Sequence, residues 1–172
     1  MQQLFLTGPG ASGLAADIFT ALNTRPAGFR LMPLEVKGEE RGAVMHLLLP
    51  PAEPYHNDLP CRIQLSRDRC VYEPHVLNEI AAPSLSASRG VHAPMLLDGL
   101  TQDMLRFAPF RQAVAECLAR PRPVITVASP DAEPALRAML PPERQCWITV
   151  PEDAAARTLL LEELIIEASM RF

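Results

Sequence analysis

The short apolar run Gln3–Thr7 stops on Gly8-Pro9-Gly10-Ala11-Ser12-Gly13, and from Leu14 to Leu22 apolar residues recur at helical spacing. Strand, glycine-rich turn and helix in immediate succession limit what such a chain can fold into. The same arrangement lets backbone N–H groups and the positive end of a helix enclose an anion. Glycine is also the default residue of any tight strand-to-helix turn, so a turn that binds nothing fits these residues too.

The rest of the chain continues the alternation. Ala27–Val36 and Ala43–Leu49 read as strands joined by a polar, glycine-bounded turn from Lys37 to Gly42, which makes them antiparallel neighbours. Pro50–Pro60 reads as a proline-rich connection, and the polar segment through Tyr72 as a loop over the sheet edge. Val76–Ser88 reads as a helix that Pro83 must kink, or whose first half it must end, because proline has no N–H to donate and clashes with the preceding turn. Met95–Asp98 is a buried strand ending in a carboxylate. Phe110–Ala119 follows as a helix, Val124–Ala128 as a strand, Pro134–Leu140 as a short helix, Gln145–Val150 as a strand and Glu152–Met170 as a long terminal helix. The apolar stripe Leu159, Leu160, Leu161, Leu164, Ile165 and Ile166 is expected to face the core, with a dimer seam as the lesser reading. The pattern predicts one α/β domain over residues 1–172, with a mostly parallel sheet covered on both faces and an antiparallel hairpin at one edge.

Charge and composition exclude several classes. A net charge of −4 without a basic cluster gives no footprint for a nucleic-acid backbone. No apolar run approaches the ~18 residues needed to span a bilayer, and the N-terminal segment lacks a basic stretch leading into a signal-length apolar one. A cytoplasmic protein is the expectation, without membrane or nucleic-acid partners. Cys61, Cys70, Cys117 and Cys146 show no C-x-x-C spacing and are expected to be free thiols.

The glycine loop admits two ligand-binding readings. Taken as G-x-x-x-x-G-K-[ST], its glycines are Gly8 and Gly13, but Leu14 and Ala15 stand where a lysine would reach the phosphates and a hydroxyl would hold magnesium. Taken as G-x-G-x-x-G through Gly8, Gly10 and Gly13, it suits a dinucleotide, and Glu35 lies 22 residues past Gly13, where a ribose-binding carboxylate is sought. Against the second stands the hairpin after Val36, which departs from a βαβ series.

Several motifs in sequence order resemble the cancer-related nucleoside-triphosphatase family, whose members are P-loop proteins. They are Thr7-Gly8-Pro9-Gly10-Ala11-Ser12-Gly13; Gly28-Phe29-Arg30 with Glu35-Val36, similar to GF-x-T-x-E-[IV]; Arg41-Gly42; Glu79-Ile80-Ala81-Ala82-Pro83, similar to E-L-A-x-P; Leu96-Leu97-Asp98-Gly99-Leu100, similar to the Walker B segment I-D-E-[IL]; and Phe110-Arg111. The resemblance implies a three-layer P-loop NTPase-like fold, a phosphate loop comprising Gly8, Pro9, Gly10, Ala11, Ser12, Gly13, Leu14 and Ala15, and a Walker B-like Asp98. It also implies that the chemistry is lost, since Leu14 and Ala15 replace lysine and threonine and Gly99 replaces the glutamate that activates water. Removing one such contact commonly costs about 10²–10³ in rate, and three are missing together.

The expectation is therefore a degenerate P-loop protein with no catalytic residues, metal site or resident cofactor, binding ATP or GTP with magnesium weakly at most. It would act through a protein partner or as a weak nucleotide, phosphate or sulfate binder. An active nucleoside-triphosphatase or nucleotide kinase using substitute groups is the alternative, for which Lys37 is the only lysine in the chain. An NAD(P)-type oxidoreductase is the second alternative. His56, Cys61, Cys70 and His75 form an H-x4-C-x8-C-x4-H series that matches no usual zinc pair, and ordinary loop or core roles are expected for them. Ser12, Ser66, Ser84, Ser86 and Ser88 sit in no nucleophile elbow. Arg106 and Arg111 are expected to be solvated or paired rather than to hold phosphate.

Overall fold

The computed structural model describes residues 2–48, 58–66 and 69–169. Eight strands form one sheet: β1 (Gln3–Thr7), β2 (Ala27–Val36), β3 (Glu39–Leu48), β4 (Leu59–Ser66), β5 (Arg69–Tyr72), β6 (Met95–Leu100), β7 (Val124–Ala128) and β8 (Gln145–Thr149), in the order β5-β4-β3-β2-β6-β7-β1-β8. From β2 through β6, β7 and β1 to β8 every pairing is parallel, and from β2 out to β5 every pairing is antiparallel. The helices are α1 (Ala11–Ala21), α2 (Ala82–Ala87), α3 (Ala108–Ala119), α4 (Glu133–Arg137) and α5 (Ala154–Ser169). Among the described residues no helix is long and apolar enough to cross a membrane.

Two apolar layers hold the sheet. On one face α2, α3 and α4 bury Phe29, Met45, Met95 and Leu97 with Leu85, Phe110 and Leu136; on the other α1 and α5 bury Leu6, Leu96, Ile125 and Val127 with Leu14, Ile18 and Leu164. β7 is buried along its whole length, as its unbroken Val-Ile-Thr-Val-Ala run requires of a parallel strand covered on both sides. Gln3 is one of the polar residues in the core. Its side-chain nitrogen donates to the carbonyls of Leu118 and Arg120 while its oxygen accepts from the Val124 N–H at 2.8 Å, so neither polar atom of its amide is stranded.

The three-layer α/β architecture agrees with the sequence-based expectation, and several local expectations are corrected. The segment read as a loop through Tyr72 is the β4–β5 hairpin. Cys61, Ile63 and Leu65 alternate with polar residues, but this edge is exposed enough that the polar residues mask the period. The antiparallel region is thus four strands wide. The β2–β3 turn is tighter than a Lys37–Gly42 loop: Lys37 and Gly38, both at positive φ, make a two-residue turn and β3 starts at Glu39. At Pro83 the helix changes form, in line with the expected kink or end of its first half. A π-helical stretch, Val76–Ala81, precedes it and α2 restarts with Pro83 in its first turn, where a missing N–H costs nothing. The Pro134–Leu140 helix is shorter and earlier, as α4. Of the terminal stripe only Leu164 is buried, and Leu159 and Ile166 are 63% exposed, because α5 packs on α1 along one narrow line at the sheet margin. Met170 lies outside the described residues.

Candidate functional site

The glycine turn is shorter than the motif suggests. Gly10, at φ 81°, turns the chain so sharply that α1 begins at Ala11, with the Ala11 N–H reaching the Gly8 carbonyl at 3.3 Å and the Leu14 N–H reaching the Gly10 carbonyl at 2.9 Å. Gly8, Pro9 and Gly10 are therefore the loop, and Ala11, Ser12 and Gly13 are the first turn of the helix. Leu14 and Ala15, 1% and 0% exposed, point away from the turn into the core beneath α1. Their burial follows from helical geometry, since Leu14, Ala15, Ile18 and Phe19 share the face that meets the sheet.

Asp98 sits at the C-terminal end of β6, 1% exposed, on the face of the sheet that α1 covers. Ser12 donates from Oγ to its Oδ1 at 2.6 Å, and Arg30 donates from Nε to its Oδ2 at 3.2 Å. Parallel pairing of β2 with β6 sets Arg30 directly beside Asp98. Burial pushes the Asp98 carboxyl above the usual carboxylate range, while the Ser12 hydrogen bond and the Arg30 charge pull it back. A carboxyl with a raised folded pKa stabilises the protein most when it is protonated, and that contribution is lost as pH rises through its titration. Asp98→Asn removes the dependence and can still accept from Arg30 and donate to Ser12. The urea midpoint of wild type is expected to fall relative to that of the Asn variant as pH is raised from acid to neutral. Parallel curves for the two proteins would refute this.

Gly99 is the extra residue of a bulge between β6 and β7 and has φ 99°. A Cβ there would come within 2.9 Å of the Leu31 side chain, so the position cannot take a glutamate without rearrangement. Next to it opens a cleft of about 550 Å³, lined by Pro9, Leu31, Pro33, Val127 and Pro130, with Glu40 and Arg62 as its charged members. Arg62 donates to Glu40 at 3.0 Å across the β3–β4 pair. The guanidinium of Arg157, from α5, lies over Gly10 and donates to the carbonyls of Pro151 and Glu152.

The structure brings Ser12 and Asp98 together but leaves other candidates apart. Lys37 stands exposed at the hairpin tip and does not line this cleft. Arg106 pairs with Asp103 at 3.2 Å, and Arg111 is exposed on α3. Glu35 lies near the hairpin tip, and β1 sits between β7 and β8 rather than next to β2, so the adjacent β1–α1–β2 unit of a dinucleotide fold is absent. Cys61 is buried on β4, where burial pushes its thiol up to about 11, and Cys70 is exposed on β5. His75 pairs with Glu79, and His56 lies outside the described residues. Among the described residues no three potential ligands gather around one point. Sequence reasoning missed Arg30 and Arg157 as neighbours of the loop. No local signal marks either, because both contacts are made by tertiary packing.

The fold, a three-layer α/β sandwich with an antiparallel extension at one edge, has a counterpart among solved structures. It matches the crystal structure of THEP1 from the hyperthermophile Aquifex aeolicus with a TM-score of 0.66, over 95% of this chain and 96% of that one, at 16% identity. No family model matches the chain, and no curated protein sequence does.

Proposed function

We propose that the protein is a P-loop-fold binding protein that does not hydrolyse nucleoside triphosphates. The carrying observation is that Asp98, which would have to attend a metal ion, is buried and already satisfied by Ser12 and Arg30. The Arg30 guanidinium provides the positive charge that magnesium would bring. The cradle itself is reduced, because α1 starts at Ala11 and Leu14 and Ala15 belong to the core. A triphosphate carrying several charges would meet backbone dipoles and no lysine. Binding on this reading is of a weak anion or nucleotide at Gly8–Gly13, or of a protein partner beside the 550 Å³ cleft.

Phosphate release from Mg-ATP and Mg-GTP is the direct test. No turnover above that of Asp98→Asn is expected, and turnover in wild type that disappears with Asp98 would overturn the proposal. A second reading, an active enzyme with substitute cations, draws on the position of Arg157 over Gly10. It requires that Arg157→Gln abolish a measurable wild-type rate.

A further inference from the structure

A groove of about 390 Å³ runs beside α1, with Phe19, Pro26 and Leu48 among its apolar walls and Arg25 and Arg30 as its charged members. Arg30 is held in one orientation through Nε, which donates to Asp98, and its two terminal nitrogens have no protein partner among the described residues. Arg25 is exposed and makes no hydrogen bond or ion pair among the described residues. Arg25 and Arg30 therefore line one cavity, and with the carboxylate of Asp98 paired to Arg30 the balance of the three is one positive charge. A fixed guanidinium presents parallel N–H donors at the spacing of two carboxylate oxygens.

We propose that this groove binds a small apolar carboxylate, its two oxygens gripped by Arg25 and Arg30 and its body against Phe19, Pro26 and Leu48. The volume falls in the ordinary range of small-molecule sites, whose walls are mostly apolar with a few orienting polar groups. One net positive charge matches a carboxylate, whereas a phosphate monoester would bring a second negative charge with no partner. The site is independent of nucleotide hydrolysis, since Arg30 meets Asp98 through Nε and its terminal nitrogens have no protein partner among the described residues.

Calorimetric titration of the full chain with benzoate, benzyl alcohol and phenyl phosphate tests it. Benzoate is expected to bind saturably and benzyl alcohol not to bind. The benzoate Kd is expected to rise about tenfold in Arg25→Gln, as loss of one charge-assisted contact predicts, and to stay unchanged in Arg111→Gln. Because Arg25 has no protein partner among the described residues, its variant is expected to keep the fold, which an unchanged melting curve verifies. Absence of saturable benzoate binding in wild type, or an unchanged Kd in Arg25→Gln, overturns the site. Tighter binding of phenyl phosphate than of benzoate overturns the choice of carboxylate.

Discussion

Lysine at position 14, the residue a nucleotide-binding loop would carry there, is expected to destabilise the protein severely rather than restore a phosphate site. Leu14 is 1% exposed and packs with Leu6, Ile18, Ile125 and Val127 beneath α1. Losing a buried leucine side chain costs about 2–5 kcal/mol, and burying an unpaired ammonium adds several more. A lysine stem can bend its charge toward water, which lowers the second cost but not the first. Against a total stability of about 5–15 kcal/mol for ordinary domains, a loss of ~5 kcal/mol removes between a third and all of it. Leu14→Met, which conserves volume, is expected to cost less than about 1.5 kcal/mol. Urea unfolding followed by circular dichroism separates the two variants. A Leu14→Lys protein as stable as wild type, with new affinity for Mg-ATP, would mean that position 14 faces the loop after all, and the argument that the cradle is reduced would fall with it.

Gly28→Ala carries the second large effect. Gly28 lies in β2 at φ 116°, between Leu48 of β3 and Leu96 of β6. A Cβ there would sit 2.1 Å from the Leu96 carbonyl oxygen. Backbone strain of about 1–3 kcal/mol at such a φ adds to about 1–3 kcal/mol for overpacking. The colliding atom is main chain in the middle of the sheet and has no rotamer to escape into. Separation of β2 from β6 would also pull Arg30 from Asp98. The expected loss of ~3 kcal/mol or more lowers Tm by about 10 °C in a chain of this size, measurable by differential scanning calorimetry. A change below 2 °C would show that β2 moves freely against β6.

How much of this was legible in the chain depends on the range of the interaction concerned. The parallel strands β1, β6 and β7 were visible because strands buried on both faces are apolar throughout, and α1 and α3 because their apolar residues follow helical spacing. The β4–β5 hairpin was not, since an exposed edge carries polar residues on the face that would otherwise show the period. The Gly8–Gly13 motif was read at its nominal length, whereas the left-handed turn at Gly10 shortens it by three residues. Backbone dihedrals at glycine are set by what the flanking elements need and leave no mark on the glycine itself. Likewise the stripe on α5 had the spacing of a core face, but a helix at the sheet margin finds neighbours for only part of it.

Order along the chain determined that a strand, a turn and a helix open an alternating α/β fold, and that lysine and threonine are missing from positions 14 and 15. Both follow from residue type and near spacing, which hydrophobic periodicity and turn chemistry report directly. Tertiary structure alone decided that Arg30, 68 residues from Asp98, becomes its partner, and that Arg157 lies over Gly10. Those contacts arise from strand order and from the docking of α5 on α1, and an ion pair between distant residues exists only once the sheet has set their register.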